Sequence, residues 1–389
     1  MRVLAAMSGG VDSSVAVALL QEQGHDVVGV TMRLWGGPSD TGCCSATEVA
    51  DARRAAARLG VEHHVFDFSE EFDRHVVDPY VADHAAGRTP NPCVECNRHL
   101  KFDALVQRAD VLGFDAVATG HHARIVRDAD GMHLVARGVD VAKDQSYVLH
   151  PIVDSDLGRV LMPVGEMTKD RVRARAAALG LRTATKPDSQ DVCFITRAEG
   201  RAAFLAERMA LHPAEIRDVD GRTVGRTDAV ELVTIGQRRG LGLAGGADRR
   251  FVLDDDVAAR TVTVGPPERL VGDGVALERV RWAGGRPLAP GTEVSVQCSA
   301  HGEVRQPSSA RDVELNSMAA TARRATASEL AAFSSHEDSG SRSGAIIDAG
   351  PRSLGSVADT GWRQAPNLAT ETSPRPRPNT RRPGSRDRN

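Results

Sequence analysis

Residues 8–14, SGGVDSS, place Ser8, Gly9, Gly10, Asp12, Ser13 and Ser14 within seven positions, between the apolar run VLAAM and a helical pattern. Glycines at a strand-to-helix turn leave backbone N–H groups pointing outward at the positive end of the helix dipole, where phosphate oxygens bind. The serines add donors, and Asp12 is placed to reach a Mg2+ carried by those phosphates. Neither G-x-x-x-x-G-K-[ST] nor G-x-G-x-x-G occurs at this turn, so the lysine that serves γ-phosphate transfer is missing. The bland alternative is a structural turn that carries glycine for its backbone freedom.

A second reactive stretch is GRTPNPCVECNRHLKF, residues 87–102. Pro90 and Pro92 fix an extended loop around Asn91, and the Cys93-x-x-Cys96 pair stands just ahead of a helix expected from near Asn97. A thiol at a helix N-terminus beside Arg98, His99 and Lys101 is expected to ionise readily and act as a nucleophile. The alternative is half of a structural zinc site, but a second pair at matching spacing is missing, and Cys43-Cys44 does not fit. Cys193, in KPDSQDVCFI, leaves a polar loop and enters an apolar run, so plain half-burial competes with reactivity. Cys298 lies in an alternating pattern and reads as core. Cys43 and Cys44 stay unassigned. The pairs His63/His64 and His121/His122 read as strand-end polarity, and no metal ligand is assigned.

The elements that must position these groups alternate. Val3–Ala6, Val27–Met32, His64–Phe68 and Asp115–Thr119 read as strands, and Val11–Gln21 as a helix. Ser45-Ala-Thr-Glu48 is a capping box opening a second helix whose Val49, Ala52, Ala56 and Leu59 share a face, and Gly60 ends it. This alternation predicts an α/β domain with a parallel sheet covered on both faces and ligands at the carboxyl ends of the strands. We place that domain at 1–204. Glycine-rich and β-branched runs such as RTVTVG and TEVSVQC then predict small β-rich domains at 205–268 and 269–305. Segments such as SPRPRPNTRRPGSRDRN cannot bury enough apolar surface to order themselves, so 306–389 is expected to be a disordered or atypical tail.

With 389 residues, the chain has room for several domains, and an aromatic share of 4% means that Val, Leu and Ala must build the cores. Its net charge of −3 neither favours nor excludes a nucleic-acid partner. No stretch approaches the ~20 apolar residues of a membrane span, and no charged leader precedes an apolar run. A cytoplasmic location is therefore expected, where six cysteines are catalytic, metal-binding or buried rather than a disulfide framework.

Taken in order, AMSGGVDSS (6–14), VTMRLW (30–35), RTPNPCVECNRHLKF (88–102), ATGHHAR (118–124), KDQSYVL (143–149), PDSQDVCFI (187–195) and TIGQRRGLGL (234–243) resemble one family. It is the ATP-dependent tRNA-specific 2-thiouridylases, which replace O2 of the wobble uridine by sulfur. The resemblance covers about residues 1–300 and implies a PP-loop, adenine-nucleotide alpha-hydrolase-like fold for the first domain. It also implies a partial C-terminal β-barrel at 269–305. The loop at 8–14 then looks like one that holds ATP while it is split between the α and β phosphates.

What the resemblance implies can be carried over residue by residue. Ala6, Met7, Ser8, Gly9, Gly10, Val11, Asp12 and Ser13 would bind the phosphates of ATP, with Mg2+, while Met32 and Gly120 would line the nucleotide pocket. Asn91, Pro92 and Cys93 would approach the target base, and Lys143, Asp144 and Gln145 would contact tRNA. Cys193 would carry a persulfide delivered by a sulfur-donor protein. Cys96 would be its partner thiol, and the resulting Cys96–Cys193 disulfide would need a reductant.

Departures from the family pattern bear on mechanism. Cys93 stands where an aspartate is common, which weakens an acid/base role there. It also completes a triplet with Cys96 and Cys193 that three-thiolate iron–sulfur ligation would need, an alternative cofactor that the reading does not favour. His122 stands where a tyrosine is common. The family's closing barrel strands are not legible after about Arg305, so the tail is either an extension or a replaced ending.

Arg98/His99/Lys101, Arg238/Arg239, Arg249/Arg250 and Arg281/Arg286 are basic clusters suited to RNA phosphates, although such pairs are equally often solvated surface. Two functions from other classes compete with tRNA thiolation. An adenylating synthetase for a small metabolite would not need Cys96, Cys193 or the NPC and KDQ stretches. A non-catalytic, zinc-bearing RNA-binding module would not need SGGVDSS.

Overall fold

Val3, Leu4 and Ala5 are each almost wholly buried, because the strand they form, β1 (Arg2–Ala6), has neighbours on both edges and cover on both faces. A computed structural model describes residues 1–34, 45–152, 157–188, 192–195, 200–243 and 249–270, together with strands at 275–282, 295–297, 320–322, 329–334 and 345–349. Cys43, Cys44, Cys298 and Arg286 fall outside the described residues.

β1 pairs in parallel with β2 (Asp26–Arg33) on one side and β4 (Ala116–Ala118) on the other. β3 (His63–Asp67) extends the sheet beyond β2, and the short strand Val160–Leu161 extends it beyond β4. The order is thus β3-β2-β1-β4 followed by Val160–Leu161. Successive strands run outward from β1 in one direction and then resume on its other side, which makes the β1/β4 junction the switch point where a crevice opens. The turn carrying SGGVDSS follows β1, and Gly120 follows β4, so both lie at that crevice.

Side-chain alternation along β1 sends Val3 and Ala5 to one core and Leu4 to the other. The first core packs under helix α1 (Val11–Glu22), helix α2 (Ala46–Leu59) and the helix Lys169–Ala178 through Val15, Ala52, Val172 and Ala176. The second is built on Phe72, Phe102, Leu105 and Phe194. The N-cap half of the box forms: Ser45 Oγ accepts from the Glu48 N–H at 3.1 Å, and Gly60 ends α2 in the left-handed conformation.

One boundary differs from the sequence reading. The helix expected near Asn97 begins at Pro92, runs through a wide π-type stretch at Cys96–Ala104 and continues to Val111. Asn91 Oδ1 caps it by accepting from the Cys93 N–H at 3.1 Å, and Pro92 takes the first helical position, which its fixed φ suits. Cys93 and Cys96 are therefore inside the helix rather than ahead of it.

Beyond residue 205, Ala214–Asp218, Thr223–Thr227, Phe251–Asp256 and Thr261–Gly265 form a four-stranded sheet around Ile216, Val252, Val262 and Val264. A further sheet joins Val275–Trp282 and Ser295–Gln297 with Ala320–Ala322, Glu329–Ser334 and Ala345–Ala349. The last three strands lie where the sequence reading expects a tail without order. The short apolar runs ELAAFS and AIIDA supply two of them, and the surrounding Ser and Arg mask that signal. The rest of 306–389 is outside the described residues.

Candidate active site

Gly9 holds φ +75°, and a Cβ there would stand 2.3 Å from the Glu48 carbonyl oxygen, so only glycine lets the turn pack against α2. Gly10 caps α1 without any side-chain hydrogen bond, which leaves the first-turn amides aimed at the crevice. Serine hydroxyls brace the turn from within. Ser13 Oγ accepts from the Ser8 N–H at 3.2 Å, and Ser14 Oγ donates to the Gly10 carbonyl at 2.8 Å. Across the switch point, a Cβ on Gly120 would stand 2.6 Å from the Ser13 nitrogen. Gly120 thus brings the end of β4 against the first turn of α1.

A cavity of about 730 Å³ opens over this junction. Of the nucleotide, base, tRNA and catalytic residues that the family resemblance implies, all but Gly9 and Asn91 line it. Ala6, Met7, Ser8, Gly10, Val11, Asp12, Ser13, Met32 and Gly120 line it, as do Pro92, Cys93, Cys96, Lys143, Asp144, Gln145 and Cys193. Gly9 contributes through its carbonyl and Asn91 through its cap.

Only four of the chain's 49 Lys and Arg residues are lysine, namely Lys101, Lys143, Lys169 and Lys186, and all four line this cavity. An ammonium is a compact point charge with three donors, whereas guanidinium is a planar fork, so the two are not equivalent here. Lys169 Nζ donates to Asp12 Oδ1 at 2.8 Å and Oδ2 at 2.6 Å, and lies 2.9 Å from Asp188 Oδ1. Lys186 Nζ donates to the Gly9 carbonyl at 3.1 Å, Glu48 Oε2 at 2.7 Å and Asp51 Oδ2 at 2.8 Å. Sequence reasoning missed Lys169, Lys186, Asp188 and Glu48. The signal available was lysine's scarcity.

These contacts set the charge states. Burial raises the Asp12 pKa, but hydrogen bonds from His122 and Lys169 outweigh it and hold the carboxyl below its ordinary value. Asp188 is likewise pushed up by burial and down more strongly by Lys143 and Lys169, to about 2. Burial lowers Lys186, yet Asp51 and Glu48 carry it above the ordinary lysine value. His121, fully enclosed and near Lys101, is driven down to about 3 by desolvation, so it is a neutral core histidine bonded to Thr119 Oγ1 at 2.7 Å.

In the KDQ stretch the side chains hold the loop itself. Lys143 donates to Asp188 Oδ2 at 2.9 Å. Asp144 accepts from the N–H groups of Gly138 and Ser146 and from the Ser146 hydroxyl. Gln145 Oε1 accepts from the His122 N–H at 2.9 Å. Arg98 and His99, read as an RNA-facing cluster, pair with Glu95.

Cys96 is buried, Cys193 half-buried and Cys93 exposed, and none is in a disulfide. Phe194 fixes the place of Cys193, since its ring is buried edge-on to Phe72 at 5.5 Å and to Tyr80 at 5.4 Å. Two thiols nearly a hundred residues apart in sequence therefore line one cavity with the SGGVDSS turn. Cys93, Cys96 and Cys193, the triplet that iron–sulfur ligation would need, all line this cavity. Among the described residues no three His, Cys, Asp or Glu side chains converge to hold a metal ion.

Comparison with known proteins decides the family. Residues 1–197 match the model described as "tRNA methyl transferase HUP domain", and 202–266 match "tRNA methyl transferase PRC-barrel domain". The tRNA-specific 2-thiouridylase of Chloroflexus aggregans is 48% identical over 306 residues, 77% of this chain and 85% of that protein. Those of Thermobifida fusca and Beutenbergia cavernae are 47% and 49% identical, over 78% of this chain and 84% and 81% of theirs. The chain belongs to the tRNA-specific 2-thiouridylase family. Every residue lining the cavity lies within the part matched by the HUP model. Among the described residues, no helix of this family member is long and apolar enough to cross a membrane.

Proposed function

We infer that this chain catalyses ATP-dependent 2-thiolation of the wobble uridine of tRNA. The observation that carries the reading is that a phosphate turn and two thiols distant in sequence line one cavity in a member of the 2-thiouridylase family. Uridine O2 is a poor leaving group, so O2 first attacks the α-phosphate of ATP and pyrophosphate departs. The first-turn amides of α1 and the cavity lysines stabilise that charge. Mg2+ is part of the proposal, because the ionised Asp12 carboxylate suits a hard cation held mainly by phosphate oxygens and water.

Sulfur then arrives as a persulfide on Cys193. Its terminal sulfur attacks C2 and AMP leaves. Cys96 attacks the Cys193 Sγ, which releases the thiocarbonyl and leaves a Cys96–Cys193 disulfide. Alternatively Cys96 attacks first and frees hydrosulfide, which then displaces AMP from C2. Both routes end in the same disulfide, and an external thiol reductant cleaves it with two electrons, returning Cys96 and Cys193 to thiols. Asn91, Pro92 and Cys93 are proposed to approach the base, and Lys143, Asp144 and Gln145 to contact tRNA. A persulfide donor protein, a reductant and a cytoplasmic setting complete the proposal. We place the catalytic domain at 1–204, the central β-rich domain at 205–268 and a partial barrel at 269–305.

Purified protein should release pyrophosphate from ATP only when tRNA bearing an unmodified wobble uridine is added. Release driven by a small metabolite without RNA would instead identify a synthetase.

A further inference from the structure

Three cations converge on one carboxylate beside the phosphate turn. Asp188 Oδ2 accepts from Lys143 at 2.9 Å, while Oδ1 accepts from Arg173 at 2.6 Å and lies 2.9 Å from the Lys169 ammonium. Lys169 also serves both oxygens of Asp12, so its three N–H groups face three carboxylate oxygens. The Lys169 and Asp188 side chains are only 10% and 20% exposed, which keeps water from competing strongly for them. An ammonium so engaged cannot coordinate a phosphate oxygen without giving up a carboxylate.

The two carboxylates differ in their freedom to yield. Asp12 sits in the first turn of α1, whose backbone is fixed by the buried β1 strand and by Gly120. Asp188 belongs to residues 186–188, which are outside any helix or strand, and its contacts with other segments include these ion pairs. At every pH at which such an enzyme works its carboxyl is charged.

We propose that Asp188 is a placeholder anion: without nucleotide it occupies the sites on Lys143 and Lys169 that phosphate oxygens take, and ATP displaces it. The proposal rests on the reading that this cavity binds ATP. It leaves the bare site with three cations shared between two carboxylates, and it makes ATP binding an exchange of ion pairs rather than the filling of a waiting cationic hole. Asp188 opposes the nucleotide in either position. If it stays, it repels the phosphates. If it withdraws, its pairs with Lys143, Lys169 and Arg173 are lost. Both costs vanish when the residue is neutral.

Hence removing this charge should tighten ATP binding, the opposite of what loss of a nucleotide or Mg2+ ligand does. The test is calorimetric titration of the full chain with a non-hydrolysable ATP analogue at fixed Mg2+, without tRNA. Asp188→Asn should bind about 5-fold more tightly than wild type, as expected for release of about one partly screened ion pair. Asp188→Glu, which keeps the charge, should stay near the wild-type Kd, and Asp188→Ser should follow Asn if the amide compromises folding. Equal or weaker binding by both neutral variants would overturn the proposal and make Asp188 a bystander or a nucleotide ligand. No binding by the wild type at all would instead remove the ATP reading on which it stands.

Discussion

The Lys186 ammonium reaches the Gly9 carbonyl at 3.1 Å while Glu48 and Asp51 hold it at 2.7 and 2.8 Å. One side chain thereby ties the SGGVDSS turn to the start of α2, where Glu48 and Asp51 lie 138 and 135 positions from Lys186 in sequence. Lys186→Met leaves Glu48 and Asp51 side by side without their shared cation. We expect a loss of about 1–3 kcal/mol in stability and at least ~10-fold weaker ATP binding, because the turn loses its brace. Thermal melts and nucleotide titration of the variant measure the two effects. Wild-type affinity in a folded Lys186→Met protein would show that the turn holds its shape alone.

Gly120→Ala tests the other side of the turn. The added methyl would stand 2.6 Å from the Ser13 nitrogen and 2.8 Å from the Asp12 carbonyl carbon, both backbone atoms that cannot swing aside. Relief must come from moving the first turn of α1 away from β4. Such overpacking costs about 1–3 kcal/mol, and we expect it to appear chiefly as at least ~10-fold weaker ATP binding with an unchanged far-ultraviolet circular dichroism spectrum. Normal nucleotide affinity would show that the amides of α1 are not what holds the phosphates.

Much of this turn was legible because its chemistry is local. SGGVDSS, the Ser45–Glu48 box and Gly60 each declare themselves within a few residues, and α1 and α2 follow. Lys169 and Asp188 were not legible, since the partners Asp12 and Lys169 are 157 residues apart and nothing in KDRVRARAAA or KPDSQD specifies the pairing. The start of the cysteine helix was misjudged for a different reason. Asn91 and Pro92 form a cap and a first helical residue, but two prolines in four positions read equally well as extended loop. Asp144 and Gln145, which the resemblance places at the tRNA, also accept from backbone groups of Gly138, Ser146 and His122, a role that only the folded loop reveals.

Acid stability should carry the signature of Asp188. Its carboxyl titrates at about 2 in the folded chain and near ~3.9 when unfolded, so protons bind the unfolded form first. The stabilisation is complete above ~4 and fades as the pH falls toward ~2. In melts across this window, wild type should lose more stability than Asp188→Asn, which has no proton to take up. Parallel curves for the two proteins would mean that the ion pairs with Lys143 and Lys169 contribute nothing to the fold.

Lys169→Arg keeps the charge and changes only its shape. The ammonium meets Asp12 Oδ1, Asp12 Oδ2 and Asp188 Oδ1 from one nitrogen, a geometry that a planar guanidinium fork does not reproduce. In a chain that uses arginine almost everywhere else, this substitution asks whether the cavity needs an ammonium. We expect kcat/KM for thiolation to fall at least ~10-fold, a transition-state loss of about 1.4 kcal/mol or more. Unchanged kinetics would reduce Lys169 to a carrier of charge.

Cys193→Ser separates the two halves of the reaction. Serine keeps the size of the side chain, and the neighbouring Phe194, seated among Phe72, Tyr80 and Phe204, continues to anchor the segment, so folding should be preserved. The hydroxyl can neither carry a persulfide nor pair with Cys96, so nucleoside mass spectrometry should find no 2-thiouridine. Adenylation uses the phosphate turn and the lysines, not this sulfur, so tRNA-dependent pyrophosphate release should continue at a rate within a few-fold of wild type. Cys96→Ser should show the same division, since either route needs this thiol to end in the disulfide. Thiolated product from the Cys193 variant would place the sulfur-bearing group elsewhere, and loss of pyrophosphate release would mean that Cys193 also shapes the nucleotide site.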